Sequence, residues 1–328
     1  MTAALIERYR DRLPVTATTP VVTLGEGSTP LLRAPRLARA AGLRELWLKW
    51  EASNPTGSYK DRGMTLAVSK ALEEGAQAVL CASTGNTAGS AAAYAARAGL
   101  PAVVLTPQGA VSGAKLAQTR MLGATVLEVR GDFDEALAAA QELAARGTHV
   151  LVNSLNPYRR EGQKTAVLEI VEELGAPPDA FVLPYGGGGN TSSYAQALRE
   201  LGVDTPLVSV EAARRRETLA TAIRIGAPVH AAAVAAAGAR IVAADDDELV
   251  AAWRRLAVEE GLFCEPSSAA GLAAVLRGDV EGERLAVTIT GHGLKDPAVA
   301  DRLAPPPALV DPDPDAIAAA SPSARSGG

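Results

Sequence analysis

The feature that most constrains this chain is a strand and helix rhythm that starts at residue 61 and runs, with few breaks, to residue 290. Helical spacing over about 61–74 stops before Gly75. An apolar strand, Ala78-Val79-Leu80-Cys81-Ala82, follows, and then an alanine-rich helix to Arg97 that Gly99 ends. Strand 101–106, helix 112–122, strand 124–129, helix 132–146 and strand 149–152 continue the alternation. Beyond Asn153 the pattern predicts helix 161–174, strand 181–183, helix 191–201, strand 206–210, helix 216–225, strand 239–243, helices 245–260 and 267–276, and a last strand at 285–290. Continuous apolar strands separated by helices mean an α/β fold, with parallel sheet covered by helices. A length of 328 residues suits two domains or one large one.

Charge and cysteine usage exclude several function classes. Lys and Arg number 32 against 37 Asp and Glu, a net charge of −5, so no general basic field exists to attract nucleic acid or an anionic membrane. Arg214-Arg215-Arg216 reads as a solvated face. Cys81 and Cys264 are the only cysteines; they stand far apart with no nearby ligand partner, which argues against structural zinc and against a disulfide framework. Residues 1–13 carry Glu7, Arg8, Arg10, Asp11 and Arg12 and read as a short amphipathic helix rather than a signal peptide. No run approaches the roughly 20 apolar residues of a membrane span, and a cytoplasmic location is expected. After Pro305-Pro306-Pro307 a Ser- and Gly-rich end reads as an extended tail with one short helix around 313–320.

The chemistry concentrates where strands end and helices begin, which is where open α/β sheets bind ligands. Strand 46–50 stops at Asn54-Pro55-Thr56-Gly57, and Ser58 with Asp61 gives the Ser-x-x-Asp pattern of a helix start. Lys60 then falls in a first helical turn, where free N–H groups and the positive end of the helix dipole disfavour a second positive charge. A solvated lysine has a pKa of roughly 10.4, so this placement, with desolvation, favours the neutral amine that a Schiff base needs. Ser83-Thr84-Gly85-Asn86-Thr87 puts hydroxyls, an amide and free N–H groups at the next helix start, an arrangement suited to a carboxylate.

Gly186-Gly187-Gly188-Gly189-Asn190-Thr191 follows an apolar strand and opens a helix, so its backbone N–H groups can approach a phosphate without side-chain obstruction. Glu211, about twenty residues on, sits where a dinucleotide fold places its ribose ligand. The Gly-x-Gly-x-x-Gly spacing is not met, because the third glycine falls on Thr191 or Ser192, and the nicotinamide reading drops to second. Loop 25–30 lacks the Gly-Lys-Ser/Thr of an ATP site. The last strand ends in Thr290-Gly291-His292-Gly293, whose hydroxyl can bond an unprotonated ring nitrogen; His292 reads as a loop residue rather than a base or ligand.

Six stretches, 24–31, 54–64, 81–87, 153–165, 218–226 and 290–296, resemble in order the signatures of the pyridoxal-phosphate-dependent threonine synthases, of the tryptophan synthase β-like fold type II. The resemblance implies two open, mostly parallel twisted sheets with helices on both faces. A smaller substrate-closing domain would span 66–153, a larger cofactor-binding domain 1–65 and 154–305, and a tail 306–328. It matches Lys60 to the Schiff-base lysine and Asn86 to the partner of the cofactor's phenolic oxygen. Gly186, Gly187, Gly188, Gly189 and Asn190 match the cofactor phosphate site, and Thr290 the ring-nitrogen partner. Ser83, Thr84 and Thr87 would hold the substrate carboxylate.

Asn153, Ser154 and Arg159 match the stretch that grips the leaving phosphate of O-phospho-L-homoserine, a part that suits a guanidinium. The implied reaction forms L-threonine and phosphate: Lys60 moves protons at the α- and β-carbons, phosphate leaves from the γ-carbon, and water adds at the β-carbon. The resemblance also suggests a homodimer. Three differences stand out: Gly-Gly-Gly-Gly-Asn where the family often has Gly-Asn-Ala-Gly-Asn, His292, and a short 211–217 segment. The alternatives are a serine or threonine dehydratase or another β- or γ-replacing enzyme of the same fold, and a non-catalytic relative.

Overall fold

In a computed structural model that describes residues 3–109 and 113–321, the chain builds two sheets. In chain order, α1 (Leu5–Arg8) precedes β1 (Leu31–Arg33), α2 (Pro35–Ala40), β2 (Glu45–Trp50) and α3 (Lys60–Glu73). Then come β3 (Ala78–Ala82), α4 (Asn86–Ala98), β4 (Ala102–Pro107), α5 (Gly113–Met121), β5 (Thr125–Val129), α6 (Phe133–Ala145) and β6 (His149–Leu151). After these lie α7 (Pro157–Leu174), β7 (Ala180–Pro184), α8 (Gly189–Leu201), β8 (Leu207–Ala212), α9 (Ala231–Ala236), β9 (Arg240–Ala244), α10 (Asp246–Glu260), α11 (Ala270–Arg277), β10 (Arg284–Ile289), α12 (Pro297–Leu303) and α13 (Pro314–Ala320).

Strands β5-β4-β3-β6 form a four-stranded parallel sheet, and β1-β2-β10-β7-β8-β9 a six-stranded one in which only β1 runs antiparallel. Strands β3 and β7 are buried along their whole length, as parallel strands covered on both faces must be. The chain falls into two compact units, Met1–Pro297, which holds both sheets, and Ala298–Gly328, which holds α13 at the place expected for the tail helix. The end of the expected tail, 322–328, lies outside the described residues. No helix among the described residues is long and apolar enough to cross a membrane.

Local chemistry sets the ends of the elements. Asp132 with Glu135, and Asp245 with Glu248, form capping boxes that start α6 and α10. Asn156 caps α7, with Pro157 in its first turn. Helices α3 and α7 cross at close range: a Cβ on Gly162 would lie 2.0 Å from the Arg62 carbonyl oxygen, and one on Gly63 2.5 Å from that of Arg159. The two glycines therefore permit the crossing that locks the start of α3 over the start of α7.

Two local expectations fail. Residues 216–225 form only a 3-10 turn at Thr221–Ile223. The Asp246 carboxylate takes Thr218 Oγ1 at 2.5 Å and Leu219 N at 3.0 Å, while Arg224 Nε binds the Thr218 carbonyl at 2.9 Å. Such side-chain bonds to the backbone compete with helix. The Ser-x-x-Asp cap does not form either. Asp61 turns back to accept from Thr56 N (2.7 Å), Thr56 Oγ1 (2.6 Å) and Ser90 Oγ (2.6 Å), and Tyr59 stands at the N-cap of α3 with no side-chain cap bond.

Candidate active site

Lys60 is the first residue of α3, half-buried, with Nζ 2.7 Å from the Tyr59 hydroxyl and 4.4 Å from that ring's centroid. The turn before it is pinned to the end of β10. Tyr59 N donates to the Thr290 carbonyl (3.0 Å), His292 N to the Gly57 carbonyl (2.9 Å), and Ser58 bridges Gly291. Two motifs 230 residues apart in sequence (290 minus 60) thus meet. The glycine loop is in turn tied to His230, whose backbone N donates to the Gly187 carbonyl at 3.1 Å and whose imidazolium the Lys60 charge disfavours.

Thr290 is buried, with Oγ1 2.9 Å from Ser268 Oγ, which in turn accepts from Gly291 N at 2.9 Å. With Ser268 accepting there, its own proton can go to Thr290, leaving the Thr290 hydroxyl hydrogen for an acceptor. Asn86 opens α4 and donates one Nδ2 hydrogen to Glu265 Oε2 at 2.7 Å, while its Oδ1 is buried and unpartnered. Glu265 is 1% exposed, pairs with Lys115 at 2.7 Å, and donates its backbone N–H to Gly291 O at 2.9 Å. Neither Glu265 nor Ser268 stands out in the sequence. They lie in Cys264-Glu265-Pro266-Ser267-Ser268, a short polar run before an apolar helix whose only signal is a carboxylate set between cysteine and proline.

Ser83, Thr84 and Thr87 flank the start of α4, where Gly85 is the N-cap and no side chain caps the helix; Ser83 Oγ accepts from Gly85 N at 3.1 Å. The first N–H groups of a 13-residue helix, with two half-buried threonines, face this corner. Asn153 acts on the backbone instead. Its Oδ1 and Nδ2 bond Ala82 N (2.9 Å) and Ala82 O (2.8 Å), tying the end of β3 to the start of the 153–159 stretch. Arg159 is 1% exposed. Its Nη1 donates to Val152 O at 2.7 Å, Nε and Nη2 are unpartnered, and burial pushes its pKa down. An unpaired buried guanidinium is costly unless an anion joins it.

Loop 186–190 carries Gly188 at φ +81°, where a Cβ would sit 3.1 Å from His230 Cβ and 3.2 Å from Tyr185 Cε2. Asn190 Nδ2 is buried and unpartnered, and Ser154 packs against the same loop, 3.4 Å from where a Gly189 Cβ would lie. His292, by contrast, packs edge-on between Trp50 and Phe263, and its Nδ1 accepts from Leu294 N at 3.2 Å, a loop-fixing part. Glu211, the would-be ribose ligand, is ion-paired with Arg215.

The model of the family described as pyridoxal-phosphate dependent enzyme matches residues 22–291. Threonine synthases from Mycobacterium leprae (strain TN) and Methanocaldococcus jannaschii are 47% and 42% identical over 323 and 341 residues, covering 90% and 93% of this chain and 89% and 84% of theirs. The chain belongs to the pyridoxal-phosphate-dependent enzymes, in the threonine synthase family. Among solved structures, a threonine deaminase from T.th. superposes with a TM-score of 0.71 at 28% identity, over 80% of this chain and 92% of that one. Maize serine racemase shares the fold, with a TM-score of 0.77 at 20% identity over 92% and 97%.

This threonine synthase family member is thus a pyridoxal-phosphate-dependent lyase, and its two mostly parallel sheets are those expected of the fold. The residues present fit the cofactor. Loop 186–190 is a turn where a Cβ on Gly188 would be crowded, and Asn190 Nδ2 and His230 Nε2 beside it are buried without protein partners, while Asn86 keeps one Nδ2 hydrogen that no protein atom takes.

Proposed function

We propose that the chain converts O-phospho-L-homoserine and water to L-threonine and phosphate. The observation that carries this reading is the 42–47% identity to threonine synthases over about nine tenths of the chain. Pyridoxal phosphate supplies an electron sink when bound. Lys60 tethers it, and its amine, once free, carries protons at the α- and β-carbons of the substrate. Thr290 would donate to the ring nitrogen, and the remaining Nδ2 hydrogen of Asn86 to the phenolic oxygen. Loop 186–190 would hold the phosphate through backbone N–H groups and Asn190. Ser83, Thr84 and Thr87, with the α4 N-terminus, orient the carboxylate. Ser154 and Arg159 receive the leaving phosphate, and Asn153 holds the strand end that positions them. Together these contacts work by positioning and fixed charge.

The same reading assigns a smaller closing domain to 66–153, which contains the whole of the sheet β3 to β6, a larger cofactor domain to 1–65 and 154–305, and a tail to 306–328. It further includes a cytoplasmic homodimer. The discriminating group is Arg159, since a dehydratase expels hydroxide and needs no phosphate grip. Replacing Arg159 with alanine is expected to raise KM for O-phospho-L-homoserine by roughly tenfold or more, the value of a charge-assisted pair, with cofactor absorbance little changed. Phosphate and threonine are followed together in the assay. If Arg159→Ala turns over O-phospho-L-homoserine as well as wild type, or if wild type prefers L-serine, the reading is wrong.

A further inference from the structure

His230 has no part in the chemistry above. It lies just before α9, is 8% exposed, and has an Nε2 that no protein atom satisfies. Its ring is applied to the glycine loop: a Cβ on Gly188 would sit 3.1 Å from His230 Cβ, and one on Gly189 would sit 3.5 Å from Cδ2 and 3.6 Å from Nε2. Its backbone N–H donates to Gly187 O, so the loop and the imidazole are fixed to each other. The loop itself offers backbone donors and a single polar side chain, Asn190. A buried, unpartnered imidazole nitrogen carries a desolvation cost that a ligand must offset.

We propose that His230 is a binding residue for the phosphate group seated on loop 186–190, and that it takes up a proton from solvent when that group binds. The proposal rests on the reading of this loop as the cofactor phosphate site. The groups facing the ring fix the direction of the linkage. Burial, Arg160 from α7 and Lys60 from α3 all disfavour the imidazolium, while the Ser154 backbone beside the ring favours it. Without an anion the ring is therefore biased to the neutral form. A phosphate dianion at Nε2 reverses the balance, and the bond becomes charge-assisted. Affinity for the phosphate then falls as pH rises through the pKa of the bound state.

The test compares pyridoxal phosphate with pyridoxal, which keeps the Lys60 chemistry and lacks the phosphate. Dissociation constants are read by absorbance on the cofactor-depleted full chain between pH 6 and 8, for wild type, His230→Ala and His230→Gln. The wild-type preference for the phosphorylated form is expected to shrink as pH rises. The Ala variant should lose about tenfold or more of that preference at low pH. The Gln variant, which can donate but not ionise, should retain a pH-independent part of it. The wild type should also show a His ring proton resonance that moves downfield on binding inorganic phosphate, traceable because the chain has 3 histidines. A preference unchanged in the Ala variant overturns the proposal, as does an equal loss for both ligands in both variants, which marks a structural role. A loss confined to KM for the phosphorylated substrate also overturns it, assigning His230 to the leaving phosphate. No preference in the wild type would instead sink the reading of loop 186–190.

Discussion

Asn86 can serve a phenolic oxygen only if its amide is held with one N–H pointing away, and the Glu265 carboxylate, 2.7 Å from Nδ2 and paired with Lys115, does the holding. That places a buried negative charge one residue behind an oxygen that must itself ionise, and a like charge raises the pKa of its neighbour. In Glu265→Gln the charge disappears while the shape is kept. The pH midpoint of the cofactor's visible absorption band is therefore expected to fall by about one unit; an unmoved midpoint would mean that Lys115 already cancels the charge. Lys60, Asn86, Thr290 and the four glycines are legible in the sequence because each belongs to a run whose local pattern, a polar or glycine cluster between strand and helix, states its place. Glu265, Ser268 and His230 are not, because their roles depend on partners 179, 22 and about 40 residues away and no local pattern encodes such pairing.

At the scale of elements, α3 is fastened to β2 and α7 by charge buried where the two helices cross. Arg62, 0% exposed, donates to both oxygens of Glu51 (2.7 and 2.8 Å) and both of Glu169 (2.7 and 2.6 Å), and Lys49 adds a 2.8 Å pair to Glu169. A pair so buried contributes little over an apolar replacement, but removing one partner strands the other, at about 3–5 kcal/mol. Glu169→Gln is expected to lose about that much at pH 7 by denaturant unfolding. Arg62 and Lys49 hold the Glu169 carboxyl down at about 2, below its ordinary 4.5. The contribution is thus present above 4.5 and lost as pH falls toward 2, so wild type and variant should converge across that window. A constant gap would mean the loss is packing alone. Helix periodicity finds α3 and the body of α7 in the sequence but misses the first turn of α7, Pro157 to Arg160, and it predicts a helix over 216–225 because it cannot see Asp246, 28 residues on, capturing Thr218.

At the scale of the whole fold, side chains rather than strand pairing link α5, which flanks the sheet β3 to β6, to turns at the rim of the six-stranded sheet. Lys295, after β10, donates to Thr56 O at 2.9 Å and to Gln118 on α5, and Lys115 on α5 reaches Glu265 at 2.7 Å and Thr221 Oγ1 at 3.2 Å. Thr221 in turn donates to Asp296 at 2.7 Å. Burial pushes the Lys295 amine below the ordinary lysine value, against the pull of Glu265 and Asp61, so its hydrogen bonds are made at a desolvation cost and depend on all partners being in place. Lys295→Met keeps the bulk and removes those donors. The link from α5 across to the larger sheet then rests on Lys115 and on the 3.3 Å bond from Gln118 Nε2 to Thr56 O, and amides of α5 are expected to exchange with solvent about tenfold faster, the loss of one or two hydrogen bonds. Peptides from β7 and β10, which the substitution does not reach, should exchange at wild-type rates. If α5 stays as protected as before, packing rather than the lysines holds it; if β10 loosens as well, Lys295 supports the larger sheet rather than the link to α5.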